Sequence, residues 1–204
     1  LEAARVAADR EGTLRALLAY YRETYALPEP EGVGEEAFET ADKVCRHILQ
    51  WGPYEEADYG TEIDWAWDPR GDIEWVAAVY RFYWADPLVR AYRATGDEKY
   101  ARAFVEMTSD WIAKHPLEER KWDHPVYTTW RGFVWLDIQT GIRATNLCAA
   151  FRVFVHAEAF TPDFLGILMA SLYDHQVKTE LIPMGQVHNK AVFEQRGFIN
   201  IAHT

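Results

Sequence analysis

Residues 63–100 read IDWAWDPRGDIEWVAAVYRFYWADPLVRAYRATGDEKY, and three kinds of local signal follow one another in them. A turn-rich segment with Asp64, Asp68, Pro69 and Gly71 comes first, as expected of a loop. Trp75, Ala78, Val79, Phe82 and Tyr83 then recur at three- and four-residue steps, Asp86-Pro87 interrupts the pattern, and Leu88, Ala91 and Tyr92 resume it as far as Gly96. That spacing predicts two helices in succession, the second ended by a glycine C-cap. Asp97 stands where it can cap a third. The same stretch holds four of the nine tryptophans, Trp65, Trp67, Trp75 and Trp84. An indole ring has two uses: it fills a core, or it offers a flat face and one N–H donor to a sugar ring.

The helical period extends in both directions. Leu14, Leu17, Leu18, Tyr21 and Tyr25 predict one helix; Phe38, Ala41, Val44, Cys45, Ile48 and Leu49 predict another, ended by Trp51-Gly52-Pro53. Downstream, helices are expected over 100–115, 135–151, 164–181 and 189–202, with Thr161-Pro162-Asp163 as the start of the third of these. Helix, loop, helix units without an alternating strand pattern give an all-α fold. Because the units share no sequence signature, the expected architecture is an incomplete (α/α) toroid of antiparallel helical hairpins, one domain over 1–204, with the aromatic loops gathered at one end.

Composition narrows the function. Apolar residues at 49% and aromatics at 15% exclude a disordered chain, and the apolar runs are too short for a membrane-spanning helix. A net charge of −11 without Lys or Arg runs argues against nucleic acid or an anionic membrane as partner. Cys45 and Cys148 have neither zinc nor redox-pair spacing, and a disulfide between them stays open. No metal site and no cofactor is expected: the seven histidines are scattered, and there is no Gly-rich phosphate loop, GxSxG or HExxH. Leu1 and Thr204 suggest a piece of a longer protein.

Three segments, taken in order, resemble the N-terminal helical domain of the heparinase II/III-like polysaccharide lyases. They are DPRGDIEW…YRFYW…AYRATGDEKYA from Asp68 to Ala101, WRGFVW…GIR from Trp130 to Arg143, and HNKAVFE from His188 to Glu194. The resemblance implies a lyase acting on a uronic-acid-containing polysaccharide, glycosaminoglycan or alginate, as its acidic polymer partner, in the periplasm or outside the cell. It implies that Asn189 neutralises the uronate carboxylate. The family's following His is Lys190 here, and His188 offers an imidazole from a shifted position. The family's catalytic Tyr and its β-sandwich domain would lie beyond this chain.

β-Elimination needs a group that quenches the uronate carboxylate, a base for the C5 proton and an acid for the leaving oxygen. The catalytic candidates are Asn189 and His188. Arg143 and Lys190 are candidates for binding the carboxylate, and Trp65, Trp67 and Trp130 for stacking on sugar rings. Each has a structural alternative: Asn189 as a helix N-cap, His188 as a loop histidine, Arg143 paired to a carboxylate, Glu194 in a salt bridge or cap, Trp135 in the core. Two other functions stay open. Asp64, Asp68 and Glu74 could supply the paired acids of a toroid glycoside hydrolase, and the aromatic cleft could hold glycan without turnover.

Overall fold

A computed structural model of the chain describes residues 2–27, 29, 32–117, 134–135, 138–180 and 189–204. Among these residues there are eight helices and one two-stranded sheet. In chain order they are α1 Glu2–Thr24, α2 Glu35–Val44, β1 Ile48–Leu49, β2 Ala57–Asp58, α3 Ile73–Tyr80, α4 Ala85–Thr95, α5 Glu98–Lys114, α6 Gln139–Phe154, α7 Pro162–Glu180 and α8 Asn189–Ala202.

The punctuation marks of the sequence do what their chemistry demands. Asp72 caps α3 by accepting from the Glu74 amide at 3.0 Å, and Asp97 caps α5 through the Lys99 amide at 2.9 Å. Gly96 closes α4 in the left-handed conformation at φ 67°. With only Gly96 and Asp97 between them, α4 and α5 fold back on each other as a hairpin.

Two boundaries depart from the sequence reading. The second helix stops at Val44, and Ile48–Leu49 pairs antiparallel with Ala57–Asp58. A two-residue strand carries too little alternation to register against helical period. The break between α3 and α4 falls at Arg81–Trp84, with Phe82 at φ 62°, and not at Asp86-Pro87. Pro87 sits in the first turn of α4, where its missing N–H would have no intrahelical acceptor anyway.

The core is one cluster running through every helix from α1 to α7. Trp75 to Tyr80 of α3 are all buried, and α6 is buried around most of its circumference, the mark of a central helix. Around α6 pack α3, α4, α7 and α8, while α1 lies on α7. Arg22 pins α1 to the turn after α6, donating to the carbonyls of Val155 at 2.7 Å, Ala157 at 2.9 Å and Phe160 at 3.2 Å. Glu98 holds the same turn by accepting from the amides of Glu158 and Ala159. Cys45 and Cys148 are free thiols. No described helix is long and apolar enough to cross a membrane.

Two glycines set how closely α6 and α8 approach. A Cβ at Gly141 would lie 2.6 Å from the Glu194 Cα, and one at Gly197 would lie 2.6 Å from the Gly141 Cα. Only a residue without a side chain tolerates either contact. This crossing sets the middle of α8, from Phe193 to Gly197, against the start of α6.

Candidate functional site

The C-terminal ends of α3, α5 and α7 meet the N-terminal ends of α6 and α8 around one buried cation. Arg143, on the second turn of α6, has no exposed surface. Its Nε donates to His175 Nε2 of α7 at 2.8 Å. Its Nη1 donates to the carbonyls of Tyr80 at 2.9 Å and Val134 at 3.1 Å. The guanidinium carbon stands 4.3 Å from the Trp111 ring centre and 4.9 Å from that of Trp135, so ring faces replace water around the charge.

The hydrogen bonds decide the state of His175. Its Nε2 accepts a hydrogen bond from Arg143 Nε–H and therefore carries the lone pair; its Nδ1 lies 2.6 Å from the Ser171 carbonyl, an acceptor, and carries the hydrogen. The imidazole is neutral, in a single tautomer. Burial, then the adjacent Arg143 charge, hold its pKa well below the usual histidine value. Burial also lowers the Arg143 pKa to about 9, with Glu194 opposing the shift, so the guanidinium stays charged at neutral pH. Glu194 of α8 is itself buried and accepts from Thr179 Oγ1 at 3.4 Å; burial lowers the Lys178 pKa, with Glu194 opposing the shift.

Arg143 is thus a correction to the sequence reading. Its guanidinium faces α3, α7 and two indoles and not a cleft, because α6 is central and leaves its side chains no solvent-facing side at this level. Trp65 is a second correction. It is 2% exposed, its Nε1 donates to Asp110 Oδ2 at 2.7 Å, and its ring stacks on Phe82. No solvent-facing ring surface remains there for a sugar.

Trp67 is 41% exposed and braced edge-on by Tyr59 at 5.0 Å, so a ring face is open. Asn189 is the first residue of α8, exposed, one turn before the close contact of Phe193 and Glu194 with Gly141. Lys190 follows it in the same first turn. His188 and Trp130 lie outside the described residues. Asn189 thus stands at the surface, and Arg143 is enclosed.

The carboxylates offered to a hydrolase shape backbone. Asp64 accepts from the Ala66 amide and Asp68 from the Arg70 amide, both at 3.0 Å, and Glu74 pairs with Arg81 at 3.1 Å. Sequence reasoning missed His175, Thr179 and Arg81 as parts of the network. The available signal was polar residues on an otherwise apolar helix face: Ser171, His175 and Thr179 recur every four residues in α7.

Known proteins share both sequence and architecture with this chain. A heparin-sulfate lyase of Pedobacter heparinus is 35% identical over 172 residues, 78% of this chain and 25% of the relative. A heparin-sulfate lyase of Bacteroides stercoris is 28% identical over 180 residues, 80% of this chain and 27% of the relative. The crystal structure of heparan sulfate lyase HepC from Pedobacter heparinus superposes with a TM-score of 0.81 at 32% identity, covering 96% of this chain and 32% of that one. This chain spans about a quarter of the length of these curated relatives. The shared architecture makes the eight helices part of a helical toroid. Residues 2–197 match the family model described as the heparinase II/III N-terminus, and on the sequence, the fold and that match together the chain belongs to the heparinase II/III family.

Proposed function

We propose that this chain is the helical part of a polysaccharide lyase that cleaves a uronic-acid-containing glycosaminoglycan of the heparan sulfate class by β-elimination. The observation that carries the reading is Asn189, exposed at the head of α8 and held there by the Gly141–Gly197 crossing, within a chain whose relatives are heparin-sulfate lyases. In the reaction a base removes the C5 proton, the electron pair forms the C4–C5 double bond, the C4–O bond breaks, and the leaving oxygen takes up a proton. The Asn189 amide donates to the carboxylate as charge builds there, aided by the positive end of the α8 dipole. His188 and Lys190, its neighbours in sequence, take the roles of imidazole and cation, and Trp67 and Trp130 that of stacking on sugar rings. Arg143 acts from beneath by tying α3, α6, α7 and Val134 together. Such a polymer places the enzyme in the periplasm or outside the cell.

The test uses the full-length protein with heparan sulfate, heparin, chondroitin sulfate and alginate, following the ultraviolet absorbance of the unsaturated uronate. The expected result is product from heparan sulfate and a loss of about 100- to 1,000-fold in kcat for N189A, the range for removing one donor to a developing oxyanion. Absorbance that stays flat on all four polymers, or N189A turning over within about threefold of the wild type, overturns the reading.

A further inference from the structure

Outside the Asn189 region, the loop after β1 and the turn before α4 build a second aromatic feature. The Trp51 ring is nearly parallel to two others: Tyr54 at 5.8 Å and 22°, and Tyr83 at 6.3 Å and 9°. Tyr83 is 36% exposed and Trp51 and Tyr54 are half-buried, so the row of rings borders solvent. Its parts are held in place before any ligand arrives. Tyr54 Oη donates to the carboxylate of Asp72, and the Tyr54 ring stands edge-on to Trp75 at 5.7 Å. Gln50 Nε2 donates to the carbonyls of Gly52 at 2.7 Å and Tyr54 at 3.1 Å, closing the loop that carries Trp51. Phe82 adopts φ 62° with its side chain fully buried, and this left-handed step separates exposed Tyr83 from the buried residues on either side of it.

Beside Trp51 and Tyr83 is a cavity of ≈ 10 Å³ whose walls also include Gln50, Val79 and Trp84. Trp84 is 5% exposed, and its Nε1 is buried with no hydrogen-bond partner among the described residues. A buried N–H without an acceptor is costly, and a space of this size holds a single oxygen atom, about one water. The exposed Tyr83 ring and one buried donor beside a space for one oxygen match a pyranose ring that carries hydroxyls.

We propose that Trp51, Tyr83 and the Trp84 N–H form a saccharide subsite that takes one pyranose ring of the acidic polymer, with a ring hydroxyl filling the cavity and accepting from Trp84 Nε1. The inference rests on the lyase reading and adds to it a place where the chain is gripped away from the elimination centre. It also replaces Trp65 as the indole that reaches sugar.

The test is calorimetric titration of the full-length protein with a heparan sulfate hexasaccharide. Y83A is expected to weaken binding about 3- to 10-fold, the equivalent of one lost ring contact. Y83F, which keeps the ring, binds several-fold tighter than Y83A, and W51F, with a smaller ring, falls between Y83A and wild type. Y20A, at an exposed tyrosine on α1, leaves the affinity unchanged. If wild type, Y83A and W51F bind equally while the wild type still releases unsaturated product, the subsite is wrong and the lyase reading stands. A wild type that neither binds the hexasaccharide nor yields product overturns the lyase reading itself.

Discussion

Two clusters of aromatic residues in this molecule use the same chemistry to opposite ends. Around Arg143, the rings of Trp111, Trp135 and His175 close completely, and the guanidinium, the imidazole and both indoles are buried. Along the Trp51, Tyr54 and Tyr83 row, nearly parallel rings are half-buried or, at Tyr83, exposed to water. The buried cluster solvates a charge that belongs to the protein. The open one has a donor and a ring surface to spare. Residue type did not separate them; the position of each ring on a central or a peripheral element did.

The comparison is broken most severely at Arg143. R143M leaves the carbonyls of Tyr80 and Val134 and the Nε2 of His175 buried without their donor, so a loss of about 3 kcal/mol or more is expected in urea unfolding. A stability within about 0.5 kcal/mol of wild type would show that the ring cage alone holds this end together.

Gly141→Ala comes next. The new methyl meets the α8 backbone, which has no rotamer to yield, and the expected penalty is about 2 kcal/mol with reduced activity because Asn189 shifts with α8. Equal stability and activity would show that the crossing does not position α8.

His175 gives the cluster a pH signature. Its folded-state pKa is depressed, so the unfolded chain binds a proton that the folded one refuses, and stability is full above the ordinary histidine pKa of about 6.5 and falls as pH drops below it. H175Q can accept from Arg143 and donate to the Ser171 carbonyl without titrating. Its urea midpoint is therefore expected to fall less between neutral and mildly acidic pH than that of the wild type; parallel curves would remove His175 as the cause.

At the smallest end, W65F loses one hydrogen bond to Asp110 and is expected to lower stability by about 1 kcal/mol without changing oligosaccharide binding. Y83A should do the reverse, changing stability by less than about 0.5 kcal/mol while weakening binding. Either substitution acting like the other would erase the distinction between core ring and surface ring.

Much of the fold was legible because its signals are local. Asp72, Gly96 and Asp97 act within two or three residues of themselves, and helical period needs only one helix to be recognised. The β1–β2 pair was not legible, since two residues per strand form no pattern, and neither was the break at Phe82, because nothing about a phenylalanine announces a positive φ. The site was legible in its outline. The HNKAVFE segment does open a helix at Asn189, and the GIR segment does lie against it, but the resemblance could not say that Arg143 and Trp65 are enclosed while Trp67 reaches solvent.

By itself, then, the sequence determined the helices, their caps and the family, because each is written in spacings of a few residues that the backbone reads directly. The tertiary structure alone decided that Arg143 is enclosed, that Trp65 is core and that Tyr83 is surface. Those outcomes depend on which elements surround a residue once the chain is packed, and burial is a property of neighbours brought from far along the chain: Tyr80, Val134 and His175 around Arg143, and Phe82 and Asp110 around Trp65.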